Sequence, residues 1–426
     1  MFKTNIKSYI ALFFLVLAIG VISLWPYFQT HYSIDCYRDL YQIDEQYYLS
    51  SVAGRPLTWL LIKILVAIGL SPVYHQQMFF ILGIIIFSFG ITFIVIKLFS
   101  LKKQTSLIEK ALLSIIVSAS VFNIFVTEVF QFNTFLIVQA LAFFFVALSI
   151  YFFKENLTKK RLFTILTLLT ISLSFYQSWI PFFVIYSLII TLVFFKQKKR
   201  SFINIIFLYG FSLGLNFIYI LFIHPALWPM YENASRLAGV NLLSNFTSIL
   251  RYLRDLFIYS LNLYPPLIFL IFTAIPIIFF KLILKFSIKK SLIIYSCIII
   301  FSIVFGLILH FFTKDIWLSE RSTMIIAAIP AFLLIFILLG AKNLVGKNRI
   351  ILGIFIGLYA ITQAISMNLI GLDLLKNNEL EFLEARSIVL DVKEYEKTSG
   401  IKVKTIYYAN DKSPKQAYDG IRQSLD

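Results

Sequence analysis

Five short clusters of lysine and arginine recur along a chain of 426 residues that is otherwise strongly apolar. They occupy residues 97–110, 154–161, 196–200, 281–290 and 341–349. The apolar sequence between one cluster and the next is long enough for two membrane crossings, because one crossing needs about 20 apolar residues. Basic loops of membrane proteins stay on the cytoplasmic side, so this spacing predicts that all five clusters lie there.

The composition supports the same class of protein. Apolar residues make up 60% of the chain and charged residues only 14%, which is far more apolar than a soluble protein of this length. The net charge of +17 could suggest nucleic-acid binding, but more than half of the 38 basic residues lie in the five clusters or at Lys3 and Lys7. The charge therefore indicates membrane orientation rather than a nucleic-acid partner.

The apolar stretches predict an all-α polytopic membrane protein with eleven spans, a cytoplasmic N-terminus and an external C-terminus. The predicted spans are 9–28, 78–97, 111–128, 134–153, 162–177, 179–195, 202–223, 265–284, 291–311, 323–340 and 350–370. The short apolar stretch 56–70 is not counted, since a crossing there would put like-charged loops on opposite sides. We predict that it forms an interfacial or re-entrant helix.

Three external segments are longer than ordinary connections, namely 29–77, 224–264 and 371–426. The middle segment is predicted to be partly helical and interfacial, with aromatic side chains suited to the headgroup layer. These aromatics are Trp228, Tyr231, Tyr252 and Tyr264.

The tail 371–426 is predicted to be a small external α/β appendage, separate from a transmembrane domain of residues 1–370. Apolar residues recur at helical spacing between Phe382 and Tyr395, and they alternate from Ile401 to Tyr407 as in a strand. Ser413 followed by Pro414 is typical of the start of a further helix.

Asp35 and Asp39 follow the first predicted span and are the leading catalytic candidates. Four residues apart on a helix, they would share one face and address one pocket. One carboxylate could then remove a hydroxyl proton while the other orients the nucleophile or holds a cation. The alternative is a solvated acidic loop that only reinforces the membrane orientation.

Two further polar residues lie in predicted outer turns. Glu128 lies in a nearly apolar turn, where a carboxylate is costly, so substrate or cation binding competes with ordinary loop placement. Gln177, flanked by Tyr176 and Trp179, could contact sugar hydroxyls while the aromatics stack on a sugar ring. An aromatic belt at the membrane surface explains the two aromatics equally well.

The chain resembles the bacterial O-antigen-modifying glucosyltransferases of the Gtr type II kind, which belong to the multi-spanning GT-C glycosyltransferases. The resemblance extends loosely over most of the chain and depends on the order and placement of four short features. These are Ser33-Ile34-Asp35, Gly54-Arg55-Pro56, Tyr176-Gln177-Ser178 and Arg321.

The resemblance implies a GT-C-like fold and transfer of a sugar, often glucose, from a polyprenyl-phosphate donor to a cell-surface polysaccharide acceptor. The reaction would take place, with inversion, on the outer face of the bacterial cytoplasmic membrane. Asp35 would be the base, whereas Asp39, Asp44 and Glu45 compete as the second acid. A divalent cation such as Mg²⁺ or Mn²⁺, held by Asp35 with Asp39 or Glu128, is left open.

A polyprenyl phosphate that leaves as an anion needs a cation or several hydrogen-bond donors beside it. Arg55 and Arg321 are the main candidates on the outer face, and snorkelling or interfacial anchoring is the alternative for each. The less favoured candidates are Arg38, Arg251, Arg254 and Lys314.

A transporter or flippase for a lipid-linked sugar is the competing class, and a non-enzymatic partner in envelope assembly is a third. Transporters usually carry ionisable groups or broken helices near the bilayer midplane, whereas the spans predicted here are almost free of charge.

Overall fold

The computed structural model describes residues 6–31, 54–102, 106–131, 133–224, 241–263, 265–311, 318–341, 344 and 346–403. All regular structure within these ranges is helical, and they contain no β-strand. The prediction of an all-α protein is therefore confirmed for the described part of the chain.

The α-helices are α1 (Ile6–Ser23), α2 (Pro56–Ala67), α3 (Gln76–Leu101), α4 (Leu107–Val121), α5 (Thr127–Gln131), α6 (Asn133–Phe152), α7 (Lys159–Phe175), α8 (Ile180–Phe194), α9 (Lys198–Ile218), α10 (Leu242–Tyr259), α11 (Ile268–Ala274), α12 (Pro276–Leu282), α13 (Ile288–Phe311), α14 (Met324–Ala327), α15 (Ile329–Gly340) and α16 (Gly346–Ser399). Short 3-10 helices occupy Trp25–Phe28, Ile124–Val126, Gln177–Trp179, Ser260–Asn262 and Glu320–Ser322, and a π-helical turn spans Tyr219–Ile223.

Five of these helical segments are long and apolar enough to cross a membrane, or six if the bent pair Leu107–Val121 and Ile124–Gln131 counts as one crossing. Shorter helices occupy the other predicted spans, so each of the eleven apolar stretches contains a helix. The described chain thus has the character of a membrane-spanning protein.

The five basic clusters lie at one end of the helix bundle, which we call the basic end. Lys97 Nζ donates a hydrogen bond to the carbonyl of Phe153, which joins the first cluster to the second. Lys102 Nζ donates to the carbonyl of Leu338, 2.8 Å away, and so links the first cluster to the end of α15.

The third, fourth and fifth basic clusters also lie at the basic end. The backbone N–H of Gln197 donates to Glu155 Oε1 at 2.6 Å, which joins the second cluster to the third. Gly340 packs closely on Leu284, since a Cβ at Gly340 would lie 3.2 Å from the Leu284 side chain. The fourth and fifth clusters are therefore neighbours as well.

Helices α4 and α7, which leave the basic end, begin at polar caps. The Ser106 hydroxyl accepts from the backbone N–H of Glu109, whose carboxylate accepts from the Ser106 N–H, each at 3.2 Å. This reciprocal pair satisfies two of the four N–H groups that a helix start leaves without partners. Thr158 caps the start of α7 by accepting from Arg161 N–H at 3.4 Å.

The opposite end of the bundle, which we call the carboxylate end, comprises residues 25–31, 54–58, 122–131, 175–179 and 318–323. Its segments are joined by hydrogen bonds that cross between loops. His31 Nε2 lies 2.9 Å from the carbonyl of Phe130, and the Thr58 hydroxyl donates to the carbonyl of Phe175 at 2.7 Å.

Helix α2 lies in the short apolar stretch 56–70. This stretch was not counted as a span, because a crossing there would put like-charged loops on opposite sides of the membrane. The 12 residues of α2 extend about 18 Å, well below the roughly 30 Å of a bilayer core. The helix is thus too short to cross on its own, and its place at the interface stays a prediction.

The structure describes the predicted tail as far as residue 403 and shows a helix up to Ser399. Helix α16 has 54 residues and continues without a break past residue 370, so the residues expected to begin an appendage extend the last apolar helix. No glycine or proline interrupts 372–399, and Gly400, at φ 67°, ends the helix. Residues 401–403 form no strand, and the rest of the predicted strand and the helix from Ser413 lie outside the described residues.

Candidate functional site

A bend after α4 places Glu128 inside the protein. Asn123 stabilises the bend, because its Oδ1 accepts from the N–H of Phe125 at 3.0 Å and its Nδ2 donates to the carbonyl of Met324 at 3.3 Å. The helical segments on the two sides of Asn123 differ in direction by 45°. Beyond the bend, the Glu128 side chain has no solvent-exposed surface.

Arg321 is the partner of Glu128. The backbone N–H of Arg321 donates to Glu128 Oε2 at 2.6 Å, and Arg321 Nε lies 3.5 Å from Glu128 Oε1. The Arg321 side chain is 19% exposed, whereas that of Glu128 is fully buried. Glu128 therefore contacts Arg321 from within the protein.

Glu320 completes this group, and we call Glu128, Glu320 and Arg321 the carboxylate cluster. Burial and the negative charge of Glu128 raise the pKa of Glu320 well above its ordinary value, against the opposing effect of Arg321. The two carboxyl groups also share a hydrogen bond. Because close carboxylates disfavour double ionisation, the charge of Glu128 favours the neutral form of Glu320.

Sequence reasoning missed Glu320, although it is the direct neighbour of a selected arginine. In a predicted outer turn, the sequence pattern around an acidic residue does not show whether its carboxyl group is buried or solvated. The signal that could have drawn attention to it is the Glu-Arg pair placed immediately before an apolar helix.

Tyr252 of α10 packs against the carboxylate cluster. Its hydroxyl lies 2.6 Å from Thr323 Oγ1, and burial followed by the charge of Glu320 raises its pKa. The sequence predicted Tyr252 in the lipid headgroup layer. The structure corrects this expectation, because the side chain is only 9% exposed and faces the interior.

Arg55 and Gln177 form a second pair at the carboxylate end. Arg55 Nε donates to Gln177 Oε1 at 2.8 Å, and the guanidinium lies 4.1 Å from the centre of the Tyr176 ring. Stacking on the ring and the hydrogen bond together orient a half-buried cation. We call Arg55, Tyr176 and Gln177 the arginine cradle.

The backbone before Arg55 is fixed by Asn216 of α9. Gly54 has φ 78°, a conformation that favours glycine, and a Cβ there would lie 2.9 Å from Asn216 Oδ1. The carbonyl of Gly54 accepts from Asn216 Nδ2 at 2.8 Å. The Gly-Arg-Pro sequence thus supplies a constrained turn that directs Arg55 toward Gln177.

Trp179 is part of the core that lies next to the carboxylate cluster and the arginine cradle. Its side chain is fully buried, its Nε1 donates to Gln139 Oε1 at 3.2 Å, and its ring lies 5.3 Å from that of Phe87. Phe87 also contacts Phe130, two residues beyond Glu128, at a ring separation of 6.0 Å. Trp179 therefore supports the site and cannot stack on a sugar, while the Tyr176 ring already contacts Arg55.

Asp35 and Asp39 lie outside the described residues, as do Asp44 and Glu45. Their segment begins directly after His31, whose buried ring is fixed on the carbonyl of Phe130. Within the described ranges, no group of three or more His, Cys, Asp or Glu side chains could hold a metal ion. Because Asp35 and Asp39 lie outside these ranges, a divalent ion held by Asp35 with Asp39 or Glu128 stays a prediction.

Comparison of the chain with protein-family models, with curated proteins and with solved structures finds no match.

A conservative change of Arg55 should test the arginine cradle. Arg55→Lys keeps the charge but loses the planar group and its Nε donor, so we expect a loss of about 1–2 kcal/mol of stability. The readout is the midpoint of thermal unfolding in detergent. Arg200→Lys, an exposed change at the basic end, is the matched control, and equal midpoints for the two variants would contradict a structural role of the cradle.

Proposed function

We propose that this protein is a membrane glycosyltransferase that transfers a hexose from a polyprenyl-phosphate donor to a cell-surface polysaccharide. The proposed architecture is GT-C-like, with eleven crossings in the bacterial cytoplasmic membrane. The basic end faces the cytoplasm, and the carboxylate end faces outward.

The observation that carries the proposal is the pairing of four residues selected separately from the sequence. Arg55 joins Gln177, and Glu128 joins Arg321, although the two members of each pair are 122 and 193 residues apart in the chain. Both pairs lie at the end of the bundle opposite the basic clusters. Each pair holds an arginine in a fixed orientation by polar contacts and leaves it partly accessible.

Two oriented guanidinium groups suit a donor whose leaving group is a phosphate. Arginine presents several N–H donors in a rigid plane that matches phosphate oxygens. In a water-poor site such donors stabilise the charge that develops as the bond to the sugar breaks, at no cost of reorganisation. Arg321, backed by Glu128, and Arg55, backed by Gln177, would supply this stabilisation.

Asp35 would act as the base. It would take the proton of the acceptor hydroxyl, whose oxygen bonds to C1 of the sugar while the bond from C1 to the phosphate oxygen breaks. The electron pair of that bond leaves with the lipid phosphate. Asp35 is four residues from His31, so covalent geometry limits the separation of their Cα atoms to about 14 Å. That reach is compatible with a role at the carboxylate end.

Compositional analysis of the surface glycan after deletion of the protein tests this function. We expect one branch sugar to disappear while the polymer itself remains, and to return when the protein is supplied again. A lost polymer, or an undiminished branch sugar, would contradict transfer to a finished glycan. Loss of the polymer would instead support a flippase.

A further inference from the structure

Helix α10 presents three distinct stripes to its surroundings. The first is buried against the bundle and consists of residues spaced three or four apart, namely Asn245, Ile249, Tyr252 and Leu256. The second is polar and consists of Ser244, Ser248, Arg251 and Asp255. The third is apolar and consists of Leu243, Phe246, Leu250 and Phe257.

The apolar stripe is uncovered over most of its length. Leu243 is 77% exposed, Phe246 49% and Leu250 51%. A helix that already buries one face has no need of a second apolar face in water, and such a patch normally marks a contact with a partner.

The apolar stripe is continuous with the outer surface of an apolar helix. The Phe257 ring lies 5.3 Å from that of Phe269 in α11, and the carbonyl of Ile258 accepts from the N–H of Leu267. The next residues of α11, Leu270 and Ile271, are 41% and 46% exposed. α11 is the first part of a predicted span, so its exposed apolar side is suited to lipid.

The polar border of the stripe favours a lipid surface over a protein partner. Arg254 projects between the apolar and the polar stripe with 58% of its side chain exposed, and it pairs with Asp255 at 2.6 Å. Arg251 is exposed on the polar stripe. Arginines beside an apolar helix face are typical of helices at a bilayer surface, where the guanidinium reaches lipid phosphates.

The buried stripe connects α10 with the ends of other helices at the carboxylate end. Asn245 Nδ2 donates to the carbonyl of Phe311, the last residue of α13, at 3.0 Å. Tyr252 contacts Thr323, which directly precedes α14, and lies close enough to Glu320 for its charge to matter. The helix therefore separates the carboxylate cluster from whatever covers its apolar stripe.

We infer that α10 is inserted into the membrane leaflet at the carboxylate end, with Leu243, Phe246 and Leu250 among the acyl chains and Arg251 and Arg254 at the phosphate headgroups. The helix is the wall between this leaflet and the carboxylate cluster. This arrangement would hold whichever reaction the protein catalyses, because it depends only on the three stripes and their contacts.

Nitroxide labels attached to single cysteines test the inference. In a background with Cys36→Ser and Cys297→Ser, cysteine is placed at Leu243, Phe246, Leu250 or Ser244, and the full chain is reconstituted in vesicles of phosphatidylethanolamine and phosphatidylglycerol. Collisions with oxygen and with a water-soluble nickel complex then report the depth of each label.

We expect the three labels on the apolar stripe to favour oxygen, at depths of about 5–10 Å below the headgroups. The label at Ser244, next to Leu243 in the chain but on the polar stripe, should favour the nickel complex. Equal access of the nickel complex to all four labels would overturn the inference. Protection of the apolar stripe from both reagents would also overturn it, because a second protein chain would then cover the helix.

Discussion

Replacement of Asp35 by asparagine should abolish sugar transfer while leaving the protein inserted in the membrane at a normal level. Asparagine has nearly the same shape as aspartate but cannot take a proton from the acceptor hydroxyl. General-base catalysis contributes about 10² to 10⁴ in rate, so the branch sugar should fall below detection. The measurement is the sugar composition of the surface glycan in cells that carry only the variant.

Asp391→Asn is the matched control for this substitution, because it makes the same chemical change at an exposed position of α16. We expect this variant to retain full transfer. A normal content of branch sugar with Asp35→Asn would show that another group is the base. Asp39→Asn, tested in parallel, would then identify whether the second carboxylate of the loop takes that role.

The apolar stretches were sufficient to predict an all-α chain with the character of a membrane-spanning protein. The length of an apolar stretch identifies a helix almost independently of the rest of the chain. Each of the eleven predicted stretches contains a helix. The excluded stretch 56–70 contains a short helix, Pro56–Ala67. These features depend on local composition and on charge, both of which can be read directly from the sequence.

The errors occurred where local patterns compete with tertiary structure. A separate appendage was predicted from residue 371, but no glycine or proline interrupts 372–399 and α16 continues to Ser399. Tyr252 was assigned to the headgroup layer because tyrosine is common there. Its position on α10 instead directs it inward to Thr323.

The candidate site was predictable as a set of residues but not as pairs. A costly carboxylate in an apolar turn and an arginine before a span were each recognisable on their own. Nothing in a single sequence indicates that Glu128 and Arg321 meet, because the contact depends on the bend at Asn123 and on the packing of α14 against it. Glu320 was missed for the same reason, since its burial follows from that contact.

The ion pair between Glu128 and Arg321 should have the largest effect on stability. Arg321→Met removes the charge that balances a carboxylate with no exposed surface, and breaking a buried pair from one side typically costs about 3–5 kcal/mol. We expect a large fall in the midpoint of thermal unfolding in detergent. Arg254→Met breaks a pair whose arginine is 58% exposed, so its cost should stay below about 1 kcal/mol.

The double variant Glu128→Gln with Arg321→Met separates the contribution of the interaction between the two side chains to stability from the cost of leaving one charge without its partner. Glutamine keeps an oxygen that can accept from the backbone N–H of Arg321, so no charge remains buried without a partner. The double variant should therefore be more stable than Arg321→Met alone, with a coupling of about 1–3 kcal/mol between the two sites. Strictly additive losses would show that the two side chains do not interact in the folded protein.

Sugar transfer by the double variant then decides between a structural and a functional role for the arginine. If Arg321 only neutralises Glu128, restoring the stability of the fold should also restore the branch sugar. If the guanidinium stabilises the departing phosphate, the double variant should fold and insert normally but remain inactive, because neither methionine nor glutamine supplies a cation. We expect the second result, since the structure buries the carboxylate completely and leaves the arginine partly exposed.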